Sequence, residues 1–128
     1  MRALTAVTFT LTLLLILVQV AFAVRGIVDP AAGAMGFGYP TDSATASFYH
    51  AVYRDRNLVI CVIGLALLFL RMWGALAIVL VTSTTLPVYD IIALMQAGVP
   101  VLPLHYVTLA VLVVLSGLTV ACAVATRA

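Results

Sequence analysis

The chain has 128 residues, of which 66% are apolar and only 8% charged, with a mean hydropathy of +1.29 and a formal charge of +2. A soluble domain of this size could not keep so much hydrocarbon away from water, so the composition points to a lipid solvent. Lysine and glutamate are absent, and six basic against four acidic residues give no field able to release many counterions from a nucleic acid, which excludes that partner.

A helix rises about 1.5 Å per residue and the hydrocarbon core is about 30 Å thick, so each crossing takes roughly 20 residues. The expectation is an all-α integral membrane protein. It forms one domain over residues 1–128, a four-helix bundle of antiparallel up-down topology with a long first loop and spans near 4–24, 57–71, 73–97 and 102–125. The first apolar run, 4–24, is bracketed by Arg2 and Arg25, and its Thr5, Thr8, Thr12 and Gln19 recur on one stripe, as on a face packed against other helices. Ala21-Phe22-Ala23 has the small-x-small form of a cleavage site, so residues 1–23 read either as a retained span, which the polar stripe favours, or as a cleaved leader.

Between residues 25 and 41 the pattern breaks. Asp29-Pro30 makes a helix cap and first turn, and Gly33, Gly36, Gly38 and Pro40 then read as a connecting loop. Asp42 or Ser43 caps a second helix, which starts near 43 outside the hydrocarbon and runs into the apolar stretch 58–70. Arg71-Met72-Trp73-Gly74 is a short turn that makes the second and third helices antiparallel neighbours and places an arginine and an indole for a membrane interface. Pro87 cannot donate to the carbonyl of Ser83 and bends the third helix, where the hydroxyls of Thr82, Ser83, Thr84 and Thr85 can satisfy freed backbone groups. Gly98, Pro100 and Pro103 mark the next turn, and the last helix carries His105, Thr108, Ser116 and Thr119 on one stripe. Cys61 and Cys122, in apolar surroundings and without CxxC spacing, are small core residues. Arg2, Arg71 and Arg127 on the terminal side balance Arg25, Arg54 and Arg56 on the other. The count leaves the orientation open, and termini on the cytoplasmic side of the cell membrane are the working expectation.

The residues that could carry chemistry are those whose polarity is costly in hydrocarbon, where a charge at bilayer centre costs at least about 2.5 kcal/mol. Asp90 is foremost. It and Arg54 each lie about 18 residues from the turn near 72, hence at one depth, and Arg56 and Asn57 lie within a turn of that level. An ion pair or charge-assisted hydrogen bond from arginine to Asp90 follows. Gln19 and His105 reach the same side, so a polar cluster of Gln19, Asn57, Asp90 and His105 is expected in the loop-side half, with Tyr53, Tyr89 or Tyr106 around it and an almost wholly apolar half opposite. His50, Tyr53, Arg54, Asn57, Cys61 and Gly64 share one helix face, whereas Arg56 stands about 100° from Asn57, so spacing favours Arg54 as the inward arginine.

Such a cluster serves either to fix helix register or to bind and react. Two histidines with no third ligand make no metal site, Gly36-x-Gly38 lacks the strand and helix of a phosphate cradle, and no cofactor is expected. Besides the lipid bilayer, the partners that fit are a small lipophilic molecule held by Gln19, Tyr53, Arg54, Arg56, Asn57 and Tyr89, or a membrane-protein partner or second copy beside which the chain acts as an accessory subunit. The alternative is a membrane-embedded acid–base enzyme, an isomerase or cyclase of a hydrophobic substrate, with Asp90 and His105 exchanging protons, since histidine titrates near neutrality. Whether the chain is an enzyme stays open.

Gly36-Phe37-Gly38-Tyr39-Pro40, Arg56-Asn57 opening an apolar helix, Pro87 with Asp90, and His105 opening the last helix together resemble a family of small four-helix membrane proteins known only as a domain of unknown function, with a likeness to DoxX-like proteins. The resemblance covers about residues 25–125. Members typically carry Arg-Asp where this chain has Arg56-Asn57, and a glycine where it has Cys61. The resemblance implies a four-helix fold in which Arg56, Asn57, Asp90 and His105 belong together, and it supplies no activity.

Overall fold

The computed structural model describes residues 2–39 and 43–126, and every regular element among them is an α-helix. In chain order these are α1 (Arg2–Val28), α2 (Pro30–Phe37), α3 (Ala44–Phe69), α4 (Trp73–Ser83), α5 (Thr85–Gln96) and α6 (Pro103–Ala125). Because α4 and α5 form one bent rod of 24 residues, the described residues make five rods where four were expected.

The additional rod is α2, in the stretch read as a loop. The Asp29 cap forms as anticipated, its carboxylate accepting from the Ala32 amide at 3.0 Å with Pro30 in the first turn. Ala31, Ala32, Ala34 and Met35 are strong helix formers, and they carry the helix through Gly33 and Gly36. Only Gly38 stops it: at φ 97° the chain turns left-handed, and the amides of Gly38 and Tyr39 fold back onto the carbonyls of Met35 and Ala34. Gly33 has a packing role, since a Cβ there would stand 2.7 Å from the Gly26 Cα and 2.8 Å from His50 Nε2. Its bare backbone lets α2 lie against the end of α1 and the start of α3.

Helix α3 opens at Ser43, whose hydroxyl accepts from the Ala46 amide at 3.1 Å; the rival cap Asp42 lies outside the described residues, as do Pro40 and Arg127. Three rods, α1, α4–α5 and α6, of 27, 24 and 23 residues, are long and apolar enough to cross a membrane. By the same measure α3 is not, so three of the four expected spans meet it. The uninterrupted apolar part of α3, 58–69, is only about 18 Å long, and Arg54, Asp55, Arg56 and Asn57 precede it. The crossing rods are apolar outside as well as inside: Leu11, Leu14 and Leu17 of α1 and Val107, Val113 and Val114 of α6 are all exposed. That is the signature of helices immersed in hydrocarbon.

The helices α1 and α3 run antiparallel, with Phe9 edge-on to Phe69 at 5.6 Å, Ile16 over Gly64 and Gly26 beneath the stem of Arg54. Helix α6 returns along α1, bringing Cys122 Sγ to 3.5 Å from Thr8 Oγ1. Leu68, Trp73, Leu76, Leu80 and Leu115 fill the core at this end. Trp73, expected at an interface, is only 5% exposed because the turn at Arg71 folds it inward. That turn holds Arg71 at φ 55°, with the amide of Met72 donating to the Leu67 carbonyl at 2.9 Å. This end is also less purely apolar than expected, since Thr8, Thr12, Ser116 and Thr119 are all buried in it.

The bend between α4 and α5 falls at Thr84, close to the carbonyl of Ser83 that Pro87 leaves without its donor. The hydroxyls of Thr82, Thr84 and Thr85 donate to the carbonyls of Ile78, Val81 and Thr82 at 2.8, 2.6 and 2.7 Å. They reinforce the turns before the bend instead of replacing the bond at Ser83.

Candidate functional site

At the end opposite Trp73 the rods diverge around a cavity of about 180 Å³. Gln19 from α1, Tyr53, Arg54 and Asn57 from α3, Asp90 from α5, and His105 and Thr108 from α6 all border it, and α2 closes it with Gly33, Gly36 and Phe37. Apolar side chains such as Ile16, Ile60, Leu86 and Leu112 supply the remaining walls. Arg56 and Tyr89, grouped with this cluster by sequence, do not border the cavity: Arg56 is exposed, and Tyr89 is 72% exposed on the outer face of α5. Tyr106 is exposed as well. The choice between the two arginines thus falls to Arg54, the one that helical spacing favoured.

The first turn of α6, started by Pro103, delivers His105 to the buried centre of the cluster. Its Nε2 lies 2.8 Å from the Phe37 carbonyl oxygen. A carbonyl only accepts, so Nε2 carries a hydrogen and donates. That leaves Nδ1 facing Asp90, 3.9 Å from Oδ2. The Tyr53 hydroxyl donates to the same Oδ2 at 3.3 Å, and the Phe37 ring stands edge-on to the imidazole at 4.9 Å. Asp90 therefore sits between a phenol and an imidazole nitrogen whose protonation is not fixed by its other bond.

The expected arginine–Asp90 pair gives way to a different arrangement. Arg54 directs Nε to His50 Nε2 at 3.3 Å and lays its guanidinium 5.6 Å from the centre of the Tyr53 ring. Two features account for this. Tyr53 already reaches the carboxylate, and Gly26 leaves open the path that the arginine stem takes along α1, where a Cβ would stand 2.6 Å from Arg54 Cγ. Burial and the neighbouring Arg54 charge hold the His50 imidazole below its usual pKa, so it remains the neutral acceptor that Arg54 needs. His50 also packs edge-on against Phe37, at 6.3 Å between ring centres.

Sequence reasoning missed the contribution of α2 and the position of Arg25. Phe37 touches three rings of the site, those of His50, Tyr53 and His105. The usable signal was the Asp29-Pro30 cap followed by alanines, which the interspersed glycines outweighed. Arg25, treated as a flank of the first span, borders the cavity from the last turn of α1. Among the described residues no group of histidine, cysteine and acidic side chains could hold a metal ion.

The pattern of the domain of unknown function DUF4267 matches residues 16–119, an extent that takes in every residue bordering the cavity except Leu15. Nothing found supports the likeness to DoxX-like proteins. No curated protein and no solved structure matches the chain.

Proposed function

The chain belongs to the DUF4267 family, and we propose that it is a multi-pass membrane protein that binds a small lipophilic molecule in the cavity beneath α2. The observation that carries this reading is the cavity itself, about 180 Å³ in volume, with hydrocarbon walls and polar groups converging from α1, α3, α5 and α6. An apolar cavity of about 150 Å³ is enough to take up benzene, and orienting polar groups in a largely apolar pocket are the usual form of a small-molecule site. In this reading α3 crosses the membrane as the fourth span of an up-down bundle, because it lies against α1 from Phe69 back to Arg54 and turns Tyr53, Arg54 and Asn57 toward the cavity. The termini are assigned to the cytoplasmic side.

Equilibrium dialysis of 2-naphthol against the protein in lipid nanodiscs tests the reading, with empty nanodiscs as the baseline. Saturable uptake above that baseline is expected. Uptake no greater than that of empty discs, for this probe and for 2-naphthoate alike, would sink the binding role and leave the polar cluster as a device for helix register.

A second reading is favoured by one contact, the Asp90 carboxylate held between the Tyr53 hydroxyl and His105 Nδ1. It is an acid–base enzyme, an isomerase or cyclase, in which Asp90 and His105 relay a proton on a hydrophobic substrate. Once a turnover is identified, Asp90→Asn should abolish it while the helices stay folded; undiminished product formation by that variant would remove Asp90 from the chemistry.

A further inference from the structure

The polar and charged residues that border the cavity carry charges that do not cancel. Element by element, α1 presents Arg25, α3 presents Arg54, α5 presents Asp90 and α6 presents His105, while α2 and α4 present no ionisable side chain. The one carboxylate already has two partners, since Asp90 Oδ2 accepts from Tyr53 and faces His105 Nδ1. The guanidiniums are under-used. Arg54 has five N–H donors, and among the described residues its one side-chain hydrogen bond is from Nε to His50. The nearest carboxylate to Arg25 in sequence, Asp29, spends its side chain on capping α2. Because Gly26 follows Arg25 and lies under the Arg54 stem, the two guanidinium-bearing chains meet at the same end of α1.

We infer that the ligand of this cavity is an anionic amphiphile, a compact apolar body bearing one carboxylate, with the carboxylate on Arg54 and Arg25 and the body against the apolar walls. The inference rests on the ligand-binding reading above and adds the chemical class of the head group. A guanidinium matches a carboxylate through two parallel N–H···O bonds, and such bonds are stronger than neutral ones. A cationic head would have to displace Tyr53 and His105 from Asp90. A neutral lipophile would leave two arginine charges at the cavity against the single carboxylate of Asp90, with the half-buried Arg54 poorly compensated by water.

The test compares 2-naphthoate with 2-naphthol, which share one body and differ in the head, by equilibrium dialysis against the protein in nanodiscs of uncharged phosphatidylcholine at pH 7.5. Naphthoate is expected to bind at least about tenfold more tightly than naphthol. Arg54→Gln and Arg25→Gln should each reduce that preference, and Arg54→Lys should restore part of it by keeping the charge. Arg25 is exposed, so its variant leaves the core intact and stands as the test should Arg54→Gln fail to fold. Equal binding of the two probes overturns the anionic head while preserving the cavity as a site. A preference that survives both glutamine variants overturns the arginine assignment. Displacement of naphthoate by an equal concentration of glycerol 1-phosphate would show that a phosphate head suffices without an apolar body, and would overturn the assignment to a compact acid. If neither probe binds, the ligand-binding reading itself falls.

Discussion

At one end of the molecule Leu68, Trp73, Leu76 and Leu115 pack with almost no exposure, and the buried hydroxyls of Thr8 and Thr119 are answered inside their own helices, by the carbonyls of Leu4 and Leu115 at 2.8 Å each. At the other end Tyr53, Asp90, His105 and Phe37 form bonds between helices, around space that no side chain fills. The first region spends its volume on contact, with the Cys122 thiol and the Thr8 hydroxyl linking α6 to α1. The second leaves volume open and spends its polar groups on holding separate elements together. In hydrocarbon, where interhelical hydrogen bonds contribute only about 0.6 kcal/mol on average, packing supplies most of the cohesion, so the second region gives up stability for open volume.

The sharpest way to break this contrast is at Leu76, which is fully buried. Leu76→Ala should cost about 2–5 kcal/mol, whereas Asn57→Ala beside the cavity should cost about 1 kcal/mol or less. Equal losses of thermal midpoint in detergent would mean that the two ends are not differently built. Next in size is Gly33→Ala, which drives a methyl into the Gly26 backbone and His50 and should cost about 1–3 kcal/mol. Its expected signature is faster amide hydrogen exchange along α2 with the Trp73 end unaffected. Removing the imidazole by His105→Ala should cost about 1 kcal/mol, because the Phe37 carbonyl loses its donor. Protection should fall at α2 before it falls at α1, and the opposite order would rule out His105 as what holds α2 down. Smallest, and opposite in sign, is Gly36→Ala. A Cβ there meets nothing within 4 Å, and trading a helix-interior glycine for alanine should raise stability by about 0.5–1 kcal/mol.

Much of this arrangement was legible in the residues. The apolar runs located three crossing rods, Pro87 located the bend, and the depth argument brought Asp90, Asn57, Gln19 and His105 to one level. Helical spacing singled out Arg54 over Arg56, which the family resemblance had put forward. Three things were not legible, each for a physical reason. Glycine frequency signals a loop only when glycine supplies backbone freedom, and at Gly33 it supplies clearance instead. Depth along a helix does not decide which neighbour wins a carboxylate, and Tyr53, one residue before Arg54, took Asp90. The indole of Trp73 lies near a turn, where interfaces usually hold tryptophan, but the left-handed geometry at Arg71 directs it into the core.

The bond from His105 to the Phe37 carbonyl has a further consequence for how this family can vary. Its acceptor is main chain, so any residue at position 37 can provide it, and position 105 can hold α2 in place without a matching partner in the sequence. Substitutions at 37 change the ring contacts with His50 and Tyr53 and leave the bond standing. A comparison of related chains that looks for paired changes will therefore pass over the link between α2 and α6, and will find at 105 only a solitary histidine.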